Sequence, residues 1–158
     1  MIIISHRGNL TGPHSATENL PSSVDHAISL GLNVEIDLWV SEDKTLHLGH
    51  DHSEYEVTCS WIVDRNTWLW IHCKNMLALE YATTYLTDTN YFFHQNDDYT
   101  LTSKGFVWVY PGVTTPKNSI AVLPESTDRW LSNLDDYKDL YGVCTDFPNA
   151  LLERRGTL

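Results

Sequence analysis

Short apolar runs alternate with amphipathic or polar segments along most of the chain. The β-branched run at residues 2–5 predicts a buried strand, and strict alternation of apolar and polar residues at 34–40 predicts a second one. Similar patterns predict further strands at residues 45–50, 68–74, 91–94, 106–110, 120–123 and 142–146.

Helical patterns separate several of these strands. An apolar stripe that begins near Pro21 and ends at Gly31 predicts the first helix, because proline suits a first turn and glycine a helix end. Apolar spacing predicts two more helices, at residues 76–86 and 128–141. Strands that alternate with helices are typical of a parallel sheet with crossover connections.

Composition adds the size and the chemical class of the protein. A chain of 158 residues with 42% apolar residues predicts one globular domain spanning residues 1–158. Ten basic residues against twenty-one acidic ones give a net charge of −11. That balance opposes binding to nucleic-acid backbones, which need a basic surface, and docking on anionic membranes.

Three cysteines give no disulfide framework and no paired zinc spacing. The first residues turn polar too soon for a signal peptide, and no apolar run reaches the length of a membrane span. We therefore expect a cytoplasmic protein without stable membrane insertion.

Polar side chains collect where the predicted strands end. In sheets with parallel strands, catalytic residues gather at the carboxyl ends of the strands, so we expect one shared mouth. The residues at these ends are His6, Arg7, His50, His72, Lys74 and His94.

Glu35 and Asp37 alternate with apolar residues, so both carboxylates face the same side of one strand. Two carboxylates that close repel each other unless a positive charge lies between them, and a hard cation such as Mg²⁺ or Ca²⁺ provides it. A strand with one solvated face would show the same pattern. The neighbouring histidines favour the metal.

His6, Arg7 and His50 offer the remaining chemistry. Arginine binds a phosphate through two parallel hydrogen bonds, and histidine exchanges protons near neutral pH. Each residue alone is more simply explained as structural. Together, two histidines beside a metal-held phosphodiester allow one to act as base or nucleophile while the other protonates the leaving alkoxide.

These residues resemble the motifs of the glycerophosphodiester phosphodiesterases, in order and at near-family spacing. The resemblance covers residues 1–52 and returns where the last predicted strand ends. The superfamily also includes spider-venom-type phospholipases D and phosphatidylinositol-specific phospholipases C. The matching segments are His6-Arg7-Gly8, Glu18-Asn19, Glu35-Ile36-Asp37, His50-Asp51 and Thr145-Asp146-Phe147-Pro148.

The resemblance implies a (β/α)8 barrel of the TIM type and metal-dependent cleavage of a phosphodiester. By matching positions, His6 and His50 would be the acid/base pair, and Arg7 would hold the phosphate. Glu35 and Asp37 would be metal ligands. A further position, Glu18, would be a buried polar partner near the site.

One departure from the family concerns the third metal ligand. The family usually has a glutamate two residues before a lysine on a middle strand, whereas this chain has His72 before Lys74. Imidazole suits Mn²⁺ or Zn²⁺ better than Mg²⁺ or Ca²⁺. His72 as a ligand, as a substrate contact or as a buried structural residue all stay open. Lys74 matches the family and is expected to contact phosphate or substrate.

A second departure is length, since full barrels of this type run to about 250 residues. We therefore expect a reduced (β/α)8 barrel with some helices shortened or missing. Its exposed strand faces leave oligomerisation open. His94 and Glu125 follow later strands and are candidates for contacts around the site, against the simpler interpretation of polar loop residues.

The expected function is hydrolysis of a small-molecule phosphodiester, a glycerophosphodiester or a related headgroup diester. Two alternatives remain. A degenerate member would bind a phosphorylated ligand without cleaving it, and a lyase like phospholipase D would release a cyclic phosphate.

Overall fold

The computed structural model describes residues 1–127 and 137–156 of the chain. Within these residues, ten strands form one sheet, accompanied by four helices and a 3₁₀ turn at Pro124–Ser126. The strands are β1 (Ile2–His6), β2 (Asn33–Val40), β3 (Leu46–Leu48), β4 (Tyr55–Val57), β5 (Leu69–Cys73), β6 (Asn90–Phe93), β7 (Tyr99–Leu101), β8 (Val107–Val109), β9 (Ile120–Val122) and β10 (Gly142–Thr145). The helices are α1 (Pro21–Ser29), α2 (Cys59–Val63), α3 (Met76–Tyr85) and α4 (Pro148–Arg155).

The sheet is mixed. Seven strands run parallel in the order β8-β9-β10-β1-β2-β5-β6. A hairpin of β3 and β4 adds antiparallel to the end of β2, and β7 pairs antiparallel with β8. The central strand β2 thus carries a partner along both edges, which fixes the positions of its side chains.

The sheet curls into a half-barrel. The edge strands β6 and β7 approach each other and are joined by isolated hydrogen bonds, but they do not pair as a regular ladder. Ser103 N donates to Tyr91 O over 2.7 Å, and Thr100 Oγ1 donates to Phe93 O over 3.0 Å. The concave side of the curl opens at the carboxyl ends of the parallel strands.

The predicted (β/α)8 barrel, even in reduced form, is wrong. The described residues contain four short helices and a mixed sheet, without the regular alternation of strand and helix that defines that barrel. The reason is the length of the connections. A crossover between parallel strands normally takes a dozen or more residues including a helix, but residues 110–119 alone connect β8 to β9.

Most of the predicted elements are confirmed individually. The strands expected at 2–5, 34–40 and 68–74, and the helix expected at 76–86, all occur within a residue or two of their predicted bounds. The predicted helix at 128–141 lies largely in residues 128–136, outside the described part of the chain. Elements that the sequence patterns did not predict are β4, β7, α2 and α4.

Alternation along the strands separates two apolar clusters. The outer cluster, beneath the helices, includes Val34, Ile36 and Leu38, none of which is exposed. The inner cluster fills the curl and includes the rings of Trp70 and Trp108. Within the described residues, no helix combines the length and apolar character needed to cross a bilayer.

Candidate active site

A cavity of about 580 Å³ opens at the carboxyl ends of the parallel strands, above the inner apolar cluster. Three of the predicted site residues, Glu18, Asp37 and Glu125, do not line it but lie beside residues that do. The predicted residues that line the cavity are His6, Arg7, Glu35, His50, His72, Lys74 and His94. The shared mouth expected from the strand ends is therefore confirmed.

Glu35, Asp37 and His72 form the centre of the site. Each offers a ligand atom, and the three atoms lie within 4.8 Å of one another. The backbone explains this convergence, because Glu35 and Asp37 alternate on β2 and Asp37 lies opposite His72 in the parallel register of β2 and β5. Both carboxylates are almost completely buried, at 2% and 0% exposure.

Asp37 is surrounded by positive and hydrogen-bonding groups. Asn19 Nδ2 donates to Asp37 Oδ2 over 2.9 Å, and the backbone N–H of Asp37 donates back to Asn19 Oδ1 over 2.9 Å. Arg7 Nε lies 3.0 Å from Oδ2, and Lys74 Nζ lies 3.3 Å from Oδ1. Burial alone would raise the pKa of Asp37, but His72 and these two cations lower it well below its usual range.

Glu35 has the opposite environment. Burial and the neighbouring Asp37 raise the pKa of its carboxyl above the ordinary value, against the lowering effect of His6 and Arg7. Its Oε2 atom is buried without a hydrogen-bond partner. Asp37 Oδ1 also accepts no hydrogen bond of good geometry, although Lys74 Nζ lies 3.3 Å from it. Buried oxygens of this kind are costly unless a proton or a cation satisfies them.

The position of the proton on the His72 ring bears on these buried carboxylate oxygens. His72 Nε2 lies 2.9 Å from the backbone carbonyl of His94, which only accepts, so this nitrogen carries the proton. His72 Nδ1 lies 3.2 Å from Asp37 Oδ1 and 4.0 Å from Glu35 Oε1. With a proton this nitrogen donates to Asp37, and without one its lone pair is free to bind a cation held between the two carboxylates. Metal-binding histidines typically donate their other N–H to a carbonyl in this way. The three residues therefore fit a divalent cation.

His6 lies beside this cluster and is held by Asp146. Its Nδ1 is 2.7 Å from Asp146 Oδ1, which leaves Nε2 on the side of Glu35 Oε2, 3.8 Å away. Burial alone would lower the pKa of His6, but the hydrogen bond to Asp146 and the charge of Glu35 raise it above its ordinary value. The imidazole is thereby oriented for proton exchange in the cavity.

A network of polar side chains supports His6 and Arg7. Glu18 accepts from Arg7 Nη1 over 3.0 Å and from Asn9 Nδ2 over 3.1 Å, and Asn9 Nδ2 also donates to Asp146 Oδ1 over 2.8 Å. Glu125 accepts the backbone N–H of Asp146 over 2.7 Å. Glu18 thus holds Arg7, which lines the cavity, whereas Glu125 holds the backbone of Asp146, whose side chain in turn bonds His6.

His50 reaches the cavity from the β3 end of the hairpin. Its Nδ1 lies 2.8 Å from Asp51 Oδ1, and burial together with the positive charge of Arg7 lowers its pKa. Trp39 Nε1 donates to the Gly49 carbonyl over 2.7 Å and fixes the turn before His50. Gly49 is required there, because a Cβ atom would come within 2.1 Å of the His52 carbonyl oxygen.

Two residues of this site, Asn19 and Asp146, went unassigned in the sequence interpretation. Asn19 stands within the Glu18-Asn19 segment and Asp146 directly follows the last strand, so both were visible as motif positions. Their partners, Asp37 and His6, lie 18 and 140 residues away in the chain. Only the folded chain shows which contact each one makes.

The opposite wall of the cavity differs from the polar one. His94 lies at its edge, where Nε2 bonds the Asp97 carbonyl and the ring lies 5.5 Å from the ring of Tyr110. Gln95 and Asn96 line the cavity beside His94. The remaining lining residues of this side, here called the apolar wall, are Trp108, Tyr110, Pro111, Val122 and Leu123.

Comparison of the sequence with models of known protein families and with curated proteins finds no match. The likeness to glycerophosphodiester phosphodiesterases therefore rests on the short motifs quoted above and remains a prediction. The groups in the cavity, taken by themselves, are able to hold a cation, attract an anion and exchange protons.

Proposed function

We propose that this protein hydrolyses a phosphodiester with the help of a divalent metal ion. One observation carries the proposal: a buried cluster of two carboxylates and one imidazole reaches, through Glu35 and His72, the same cavity that Arg7, Lys74, His6 and His50 line. Metal ligands, phosphate-binding cations and proton-exchanging groups are the three components that metal-assisted hydrolysis of a phosphodiester requires.

Glu35, Asp37 and His72 would hold the metal. A bound divalent cation supplies positive charge that polarises a phosphoryl oxygen and stabilises the charge developing on it. Two carboxylates with one imidazole suit Mn²⁺ or Zn²⁺, and Mg²⁺ or Ca²⁺ would bind mainly through the carboxylates.

Arg7 and Lys74 would bind the nonbridging oxygens of the diester. Arg7 offers a planar guanidinium that Glu18 and Asp37 hold from one side, so that it is ordered before a ligand arrives. Lys74 adds a point charge from the end of β5, beside Asp37 Oδ1. Ordered cations of this kind stabilise an anion more effectively than mobile surface lysines.

His6 and His50 would exchange the protons. One imidazole removes a proton from the attacking water as its oxygen bonds to phosphorus, and the other protonates the alcohol oxygen as its bond to phosphorus breaks. The products are an alcohol and a phosphate monoester. Both histidines line the cavity, and an aspartate lies against the Nδ1 atom of each.

The decisive test is turnover of bis(p-nitrophenyl) phosphate by protein stripped with EDTA and then reloaded with Mn²⁺, Zn²⁺, Mg²⁺ or Ca²⁺. We expect no turnover in the stripped protein and recovery with at least one metal. Full activity in the presence of excess chelator would contradict the proposal. Phosphorus NMR of the product from a diester with a neighbouring hydroxyl distinguishes hydrolysis from release of a cyclic phosphate.

A second candidate is binding of a phosphorylated ligand without cleavage. It is favoured by the contacts of Arg7 and Lys74 with Asp37, because two cations already balance that carboxylate. In this case phosphate would bind to the protein with equal affinity before and after chelator treatment, and no metal would restore turnover.

The setting of this reaction belongs to the same proposal. A small-molecule substrate and a cytoplasmic location agree with an enclosed cavity and with cysteines that are unpaired in the described residues. Ultracentrifugation would establish the oligomeric state.

A further inference from the structure

The apolar wall lies across the cavity from Glu35, Asp37 and His72, the three candidate metal ligands that are here called the metal-ligand cluster. Trp108, Val122 and Leu123 come from β8, β9 and the residue after β9, and Tyr110 and Pro111 follow β8. These side chains carry only two hydrogen-bonding groups, the Tyr110 hydroxyl and the Trp108 indole N–H. A ligand part placed against this wall would lose water without gaining many polar partners.

The charged groups that line the cavity further restrict the kind of ligand that fits against the apolar wall. Among the described residues that line the cavity, the only carboxylate is Glu35, and it belongs to the opposite wall. The aromatic faces of Trp108 and Tyr110 attract cations, but no carboxylate of this wall would neutralise a cationic group, and the choline probe described below tests that case. A polyol such as glycerol would leave hydroxyls unsatisfied. An apolar group needs neither a carboxylate nor hydrogen-bonding partners.

The wall is firmly supported and continuous with the metal-ligand cluster. The Trp108 ring lies 4.5 Å from Phe92 and 5.9 Å from Trp70, centroid to centroid. Phe92 in turn stacks on His72 at 5.1 Å with an angle of 10° between the rings. An apolar group on this wall would thus lie next to a phosphoryl group bound near His72.

Leu123 is a second, independent observation. It adopts a left-handed backbone conformation, with φ 45° and ψ 52°, that bulky residues rarely enter and that glycine or asparagine adopts readily. Strained residues of this kind cluster at ligand sites. Here the strain presents a leucine side chain to the cavity.

We infer that the natural ligand is a phosphodiester with an aromatic ring or hydrocarbon chain on one of its oxygens, bound against Trp108, Tyr110 and Leu123. The inference rests on the proposed function for the position of the phosphate. It narrows the substrate away from simple glycerol or choline diesters.

Calorimetric titration of the Mn²⁺-loaded protein tests this without requiring turnover. The probes are benzyl phosphate, glycerol 3-phosphate, choline phosphate and inorganic phosphate. We expect benzyl phosphate to bind at least about tenfold more tightly than glycerol 3-phosphate, because the ring leaves water on binding. Equal or tighter binding of glycerol 3-phosphate or choline phosphate would overturn the inference.

Two variants test whether the tighter binding of benzyl phosphate depends on the apolar wall. Tyr110→Ala changes a residue that is 48% exposed, and Leu123→Asn places a residue that tolerates the left-handed conformation. Each should reduce the benzyl advantage to below about threefold and leave the affinity for inorganic phosphate unchanged. The matched control is Tyr85→Ala on α3, 53% exposed and outside the cavity, which should change neither value. An unchanged benzyl advantage in both wall variants would contradict the inference.

Hexyl phosphate in solution and phosphatidic acid in vesicles separate a free ligand from a bilayer lipid. Tighter binding of either than of glycerol 3-phosphate supports the apolar group, and failure of both overturns it. A benzyl preference in a protein without metal-dependent turnover would refute the proposed hydrolysis alone. Turnover without that preference would refute this inference alone.

Discussion

The two halves of the chain build opposite walls of one cavity by different means. Residues 1–86 contribute β1, β2 and β5 with the crossover helices α1 and α3, and they supply most of the charged groups. Residues 90–127 contribute β6 to β9, joined by loops, and they supply the apolar wall. The charged groups thus lie in the half whose parallel strands are connected through helices, and the apolar wall lies in the half whose short strands are joined by loops.

This difference is physical. A buried charge needs partners whose positions are fixed to within a few tenths of an ångström. Strand β2 holds its side chains that firmly because β5 pairs with one edge along five residues and β1 and β3 share the other edge. An apolar contact tolerates small displacements. The second half therefore does without helices on its connections while still forming a wall.

Among the substitutions that test this difference between the two halves, Glu35→Gln should have the largest effect. Removing one charge from the metal-ligand cluster should lower kcat with bis(p-nitrophenyl) phosphate by at least about 10³-fold. Because burial raises the pKa of Glu35, its charged form destabilises the metal-free fold as pH rises towards neutrality. The variant should therefore melt no lower than wild type in EDTA at pH 7.

The matched control is Gln95→Ala, an exposed cavity residue of the second half. It should change kcat by less than about threefold, since no charged contact depends on it. A larger effect for Gln95→Ala than for Glu35→Gln would show that the chemistry belongs to the other wall.

Asn19→Ala should show how strongly the first half depends on its polar contacts. The change removes two buried hydrogen bonds to Asp37 and places alanine at φ 59°. We expect the free energy of unfolding to fall by about 3 kcal/mol, measured by urea denaturation.

Asn19→Gly separates the two contributions, because glycine adopts the same backbone conformation without strain. It should lose about 1 kcal/mol less than Asn19→Ala. In the second half, Asn96→Ala, at an exposed loop position, should change stability by no more than about 0.5 kcal/mol. Equal losses in Asn19→Ala and Asn96→Ala would remove the distinction between the halves.

The smallest effect expected is that of Trp39→Phe. It deletes the hydrogen bond to the Gly49 carbonyl that fixes the turn before His50. We expect a loss of about 1 kcal/mol in stability and a fall in kcat larger than the change in KM. The control is Trp68→Phe, 37% exposed and outside the cavity, for which kcat should not change.

The sequence predicted the centre of the site well because that centre depends on short-range rules. Alternation along one strand was enough to put Glu35 and Asp37 on the same face. His72 was a candidate metal ligand only through the family resemblance, with its role left open, and the pairing of β2 with β5 shows that it lies opposite Asp37. These rules hold for many sheet topologies, so the wrong fold class did not spoil them.

What sequence patterns failed to predict depends on loops and on distant pairings. The bond between His6 and Asp146 joins the first and last strands, and the bond between Asn19 and Asp37 depends on a left-handed turn. The barrel was mispredicted because it was taken from the family resemblance, whereas the short spacing between the later strands leaves too few residues for a helix in each connection. The loop of residues 110–119 shows that point directly.

The contact between β6 and β7 is less regular than the ladders that join the other neighbouring strands of the described residues. Only a few isolated bonds cross it, among them Ser103 N to Tyr91 O and Thr100 Oγ1 to Phe93 O. Bonds of this kind contribute about 1 kcal/mol each and most of them involve a side chain, whereas β2 and β5 are joined by a backbone ladder of five residue pairs. The side of the cavity built by the second half is therefore held less regularly than the side built by β2.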